Sequence, residues 1–172
     1  MPLNRLIALV AALAVLAGAP QVMAQSAPPG PRVQLETSLG TIVIELDPAK
    51  APKSVENFLN YVRAGFYNGT VFHRVMPGFM VQGGGFTPDY KQKPPGAQVP
   101  NESVGGLANL RGTVAMARTG DPHSATAQFF INVADNHSLN AGPRHPGGFG
   151  YTVFGRVIQG MEVADRMVAA PT

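Results

Sequence analysis

The chain has 172 residues, 45% of them apolar, with 20 glycines, 16 prolines, no cysteine and a formal net charge of +3. This length suits one domain with a sizeable core, the lack of cysteine excludes a disulfide scaffold, and the glycine and proline content favours many short elements joined by turns. Basic residues are scattered without a Lys/Arg run, which leaves nucleic-acid binding unsupported.

Residues 1–24 read as a secretory signal peptide. Arg5 forms a short positive region, Leu6 to Ala17 an apolar one, and Val22-Met23-Ala24 places small residues where a signal peptidase cuts. The apolar run falls short of the ~20 residues that span a bilayer. Cleavage after Ala24 removes Arg5, leaves a net charge of +2 (3 − 1), and predicts a periplasmic or secreted protein with no membrane attachment. Residues 25–31, QSAPPGP, form a linker-like tail whose prolines fit neither a helix interior nor a central strand. Residues 32–172 are then the folded domain.

Within that domain, Arg32 to Thr37 and Thr41 to Asp47 alternate apolar and polar residues around Ser38-Leu39-Gly40, a β-hairpin pattern. Pro52 suits a first helical turn, Val55, Phe58, Leu59 and Val62 share a helical face, and Gly65 ends the segment. Val71 to Met76 and Phe79 to Gly83 read as strands around Pro77-Gly78. The stretch from Gly84 to Gly112 reads mainly as loop, and a loop of this length commonly carries function. Thr113 to Arg118, Gln128 to Val133 and Tyr151 to Val157 are further strands, with a short helix over Met161 to Val168. Strands dominate and do not alternate with helices, so the fold is a barrel or a sandwich.

Few residues suggest chemistry. His73, His123, His137 and His145 lack metal-ligand spacing, and His73 reads as a hydrogen-bonded structural residue facing away from Arg74. Gly83-Gly84-Gly85 lacks the Gly-Lys-Ser/Thr of a phosphate loop and reads as a sharp turn or a close backbone approach. No serine occupies a nucleophile elbow. Arg74 is different: a permanent cation within an apolar, strand-like run. With Phe79 and Gln82 on its own strand pair, and Met116, Ala117, Gln128 and Phe130 on another, it proposes an apolar pocket walled by one guanidinium and one or two amides.

The segments FHRVMPGFMVQGGGF, AMARTGDPHSATAQFFINV and YTVFGRVIQGMEVAD resemble, in order, the signature segments of the cyclophilins, the peptidyl-prolyl cis/trans isomerases, and most of all their exported bacterial branch. The resemblance runs from Val33 to Ala164. It implies a closed eight-stranded antiparallel barrel with a helix over each end, and one strand beyond those the sequence supplies. It implies Arg74 as the catalytic arginine and Gln82 as the glutamine that holds Arg74 and the substrate carbonyl. Phe79, Met80, Phe130 and Leu139 match walls of the proline pocket. Ala117, Arg118 and Gln128 match the groove for residues preceding the proline, and Tyr151 stands where many relatives carry histidine. Ser138 stands where many carry tryptophan, which argues against tight binding of cyclosporin-like ligands. The implied protein is a monomer that needs no cofactor or metal and acts on proline-containing unfolded or partly folded polypeptides. A peptide-binding, chaperone-like module with little turnover is the alternative, and Arg74 favours the enzyme.

Overall fold

The computed structural model describes residues 29–170. Residues 1–24, read as a signal peptide, and most of the proline-rich tail lie outside the described residues. Seven strands form one antiparallel sheet: β1 Arg32–Thr37, β2 Gly40–Leu46, β3 Arg74–Met76, β4 Met80–Gly83, β5 Thr113–Met116, β6 Phe129–Asn132 and β7 Val153–Gln159. Their order in the sheet is β1-β2-β7-β5-β6-β4-β3. Two helices accompany them, α1 Pro52–Arg63 and α2 Met161–Ala169. No helix among the described residues is long and apolar enough to cross a membrane.

The β1–β2 hairpin forms as its alternation requires. Val33 pairs with Ile44 and Leu35 with Ile42, so the apolar set of both strands faces the interior. The main core gathers Ile42, Ile44, Leu46, Val81, Val114, Phe129, Ile131 and Phe154 inside the curled sheet. Helix α1 starts at Pro52 and buries Val55 and Phe58, with α1 lying against β7. Its N-terminus is capped from far along the chain. Glu102 accepts hydrogen bonds from the Lys53 N–H at 3.1 Å, and from the Ser54 N–H and hydroxyl, both at 2.8 Å. These bonds satisfy amides that the first turn cannot pair internally. Helix α2 packs on β2, β3 and β4, spanning the hollow of the curl.

The sequence reading pointed to a closed eight-stranded barrel; the described residues form a curled half-barrel of seven. Its end strands β1 and β3 are not hydrogen-bonded to each other. A cleft of about 1160 Å³ lies between them, lined by Val33, Leu35, Val71, Arg74 and Met167 among others. The strand expected to begin at Val71 is shorter, starting at Arg74. Val71 instead makes an isolated bridge to Phe86, because its amide is taken by the Phe86 carbonyl at 2.9 Å.

Candidate active site

Directly opposed residues on neighbouring strands point to the same face of a sheet. Arg74 is opposite Gln82, Gln82 opposite Phe130, and Phe130 opposite Ala115. Four strands therefore set one row of side chains on the outer face, while Val81, Phe129, Ile131, Val114 and Met116 turn into the main core. On that outer face lies a second apolar cluster, built from Met80, Ala115, Phe130 and Val153, with Phe79, Leu107, Ala117, Leu139 and Tyr151 packed against it. Of the seven apolar and aromatic positions singled out from the sequence, Phe79, Met80, Ala117, Phe130, Leu139 and Tyr151 meet there; Met116, expected with them, lies in the main core because it alternates with Ala115 and Ala117 along the chain.

Arg74 corrects the picture of a guanidinium sunk in a core. It is exposed, at the start of an edge strand, so water solvates its charge and no burial cost arises. A guanidinium Nη donates to Gln82 Oε1 at 3.4 Å, and Gln82 Nε2 donates to Gln128 Oε1 at 2.9 Å. Gln82 has one carbonyl and one NH₂, so donation to Gln128 leaves its oxygen facing Arg74. Among the described residues no carboxylate pairs with Arg74. Its positive charge stays available at the pocket edge.

The three consecutive glycines are explained by close approach. A Cβ on Gly83 would stand 2.9 Å from the Phe72 ring, and one on Gly84 2.9 Å from both Tyr67 and Phe129. On Gly85 it would stand 2.5 Å from Cγ of Gln128. Gly83 and Gly84 admit core aromatics, and Gly85 gives Gln128 the space from which it holds Gln82.

The Arg118 side chain, expected along the groove for residues preceding a proline, is also bonded within its own chain. Its guanidinium donates to the carbonyls of Thr119 at 2.9 Å, Phe149 at 3.0 Å and Gly150 at 3.2 Å. It also lies 4.4 Å from the ring centroid of Tyr151. Tyr151 meets Phe130 edge-on at 5.8 Å. Arg118 thus pins the segment that carries Tyr151, at the border of the pocket. Ser138 is exposed on the one-turn 3-10 helix His137–Leu139, where its carbonyl contacts His145 Nε2 at 2.8 Å.

The His73 ring packs on Phe86 with centroids 4.5 Å apart, its buried Nδ1 makes no hydrogen bond of good geometry, and the Val71 main chain beside it favours its protonated form. Burial, reinforced by the adjacent Arg74 charge, holds its pKa below the ordinary histidine value.

This site combines an apolar pocket for a compact ring with a fork of N–H donors at one edge. The profile described as cyclophilin type peptidyl-prolyl cis-trans isomerase/CLD matches residues 32–172. The chain belongs to the cyclophilin family. It is 60% identical over 140 residues to the peptidyl-prolyl cis-trans isomerase cyp18 of Streptomyces antibioticus, covering 81% of this chain and 84% of that one. It is also 60% identical over 140 residues to peptidyl-prolyl cis-trans isomerase A of Dickeya dadantii, covering 81% and 72%. A crystal structure of a cyclophilin type isomerase from Cryptosporidium parvum, in the presence of the dipeptide Ala-Pro, superposes with a TM-score of 0.71 at 29% identity. That match covers 83% of this chain and 87% of the other. The activity of this cyclophilin is peptidyl-prolyl cis-trans isomerisation.

Sequence reasoning missed the residues behind the pocket. Asn109, Asn132 and Asn136 are buried and bonded to one another and to the pocket's main chain. Only the recurrence of asparagine in otherwise apolar stretches hinted at them.

Proposed function

We propose that this cyclophilin is exported and accelerates rotation about X-Pro bonds in folding polypeptides outside the cytoplasm, with Arg74 as the catalytic residue. The supporting observation is the row Arg74–Gln82–Phe130, which sets a permanently charged donor beside a ring-sized apolar surface.

The barrier to be lowered is that of the peptide bond, about 18–20 kcal/mol, caused by the partial double-bond character of C–N. X-Pro is the peptide bond with a well-populated cis form. When the bond twists, conjugation is lost, and the prolyl nitrogen becomes pyramidal and regains a lone pair. A donor directed at that nitrogen binds the twisted state more strongly than either planar state, which lowers the barrier. Phe79, Met80, Phe130, Leu139 and Tyr151 hold the pyrrolidine ring. Arg74 supplies the N–H donor and keeps its proton at any ordinary pH. Gln82, oriented by Gln128, steadies Arg74 and offers its amide to the substrate carbonyl. A bound peptide covers the exposed guanidinium, and the lower local polarity strengthens its bond to the nitrogen. The groove for residues preceding the proline runs past Ala117, Arg118 and Gln128.

All these groups come from one chain, so the catalytic unit is a monomer. In the same reading an eighth strand beside β1 closes the barrel, its place being the cleft between β1 and β3.

Two measurements test the proposal. The purified chain should speed cis/trans exchange of a short Ala-Pro-containing peptide, observed by exchange NMR without a coupled protease. N-terminal sequencing of the exported protein should begin at Gln25. Absence of catalysis would sink the enzymatic role, and an exported protein beginning at Met1 would sink the cleavage site.

A further inference from the structure

Three pocket walls come from segments with little regular structure. Phe79 follows the Pro77-Gly78 turn, Leu139 sits on a one-turn 3-10 helix, and Tyr151 precedes β7. Their side chains are only partly buried, so apolar packing alone fixes them weakly. Their main-chain carbonyls share one set of buried amides. Asn136 Nδ2 donates to the Phe79 carbonyl at 2.8 Å. Asn109 Nδ2 donates to the carbonyls of Tyr151 at 3.1 Å and Leu139 at 3.4 Å.

These amides are linked in sequence. Asn136 Nδ2 donates to Asn132 Oδ1 at 2.7 Å, and Asn132 Nδ2 donates to Asn109 Oδ1 at 3.2 Å and to the Thr113 hydroxyl at 2.9 Å. Asn109 and Asn132 are 0% exposed and Asn136 6%. Every link has the same polarity, so turning over Asn132 or Asn109 breaks bonds on both of its sides, and turning over Asn136 loses both bonds of its Nδ2. A buried polar chain of this kind adds little net stability over well-packed apolar residues, but it admits one arrangement of its partners.

We propose that Asn136, Asn132 and Asn109 form a positioning chain that fixes the mutual placement of Phe79, Leu139 and Tyr151, and so sets the shape and affinity of the proline pocket. The proposal rests on the reading of those three residues as pocket walls. The amides do not touch the substrate; they act through the walls. The ring is held in the planar and the twisted states alike, so loosening the walls weakens binding of both. The signature is a raised KM with kcat nearly unchanged.

The test is steady-state exchange NMR on a short Ala-Pro peptide with wild type, Asn109→Ala and Val163→Ala. Val163 is a residue of α2 buried in the main core, away from the pocket cluster. Asn109→Ala should raise KM about tenfold and leave kcat within about twofold, the pattern of lost uniform binding. Val163→Ala should lower the melting temperature and leave KM unchanged. The Leu139 methyl signals should broaden in Asn109→Ala alone, which general destabilisation does not produce.

An unchanged KM in folded Asn109→Ala, a fall in kcat at fixed KM, or an equal KM rise in Val163→Ala would each overturn the proposal. Where Asn109→Ala does not fold, Asn136→Ala, which leaves the Phe79 carbonyl only its bond from the Val133 N–H at 3.0 Å, carries the same expectation. Loss of folding in both would make the chain a determinant of the fold and overturn its positioning role. An inactive wild type sinks the enzymatic reading, whereas an active wild type with unaltered KM in the variants sinks this inference alone.

Discussion

Replacing Arg74 by alanine should separate catalysis from folding. Arg74 is exposed on an edge strand, and its side chain makes one hydrogen bond among the described residues, the 3.4 Å contact with Gln82. A single long bond in solvent contributes well under about 1 kcal/mol, so the melting temperature should hardly move. The effect on rate is larger because the guanidinium, in no ion pair among the described residues, lies in one row with Gln82 and Phe130. Loss of a single well-placed electrostatic donor costs roughly 10²–10³ in kcat, about 2.7–4 kcal/mol of transition-state stabilisation. The loss should appear mainly in kcat, because the bond to a pyramidal nitrogen exists only in the twisted state. Arg74→Lys should fall between the two, keeping the charge without the planar fork. Exchange NMR on an Ala-Pro peptide gives the rate, and a thermal melt gives the stability. A folded Arg74→Ala protein active within about twofold of wild type would refute the assigned mechanism.

Two further expectations follow from the site's surroundings. Gly85→Ala sets a Cβ 2.5 Å from Gln128 Cγ, so Gln128 must swing away from Gln82. Activity should drop about tenfold, the scale of one lost orienting hydrogen bond, and full activity in a folded Gly85→Ala protein would refute the Gln128–Gln82 relay. His73 has a folded-state pKa below 6.5, chiefly through burial. The unfolded chain therefore takes up this proton more readily than the folded one. Its contribution to stability is complete at neutral pH and declines as pH falls from 6.5 through the folded value. Denaturant melts of wild type and His73→Phe between about pH 7 and pH 5 should show a shallower slope for the variant, and identical slopes would refute the assignment.

Local pattern was enough for the elements. Among the described residues seven strands and two helices overlap the expected segments, with β3 starting at Arg74 instead of Val71 and β7 at Val153 instead of Tyr151. The Arg74–Gln82 contact was implied by the family resemblance, and the register of the hairpin sets the two residues opposite each other. Alternation says that two sets of residues face opposite ways, but not which face is the interior. In Phe129-Phe130-Ile131 both sets are apolar, and only the curl of the sheet sends Phe129 and Ile131 into the main core and leaves Phe130 to the pocket. The same curl puts Arg74 in water. The bonds between distant segments were also decided in three dimensions: Glu102 capping a helix 48 residues earlier, Arg118 reaching carbonyls 31 and 32 residues later, and Asn109 joined to Asn132 across 23. Hydrogen-bond partners far apart in the chain leave no periodic trace in it. A buried asparagine and a loop asparagine are the same letter until the fold closes around one of them.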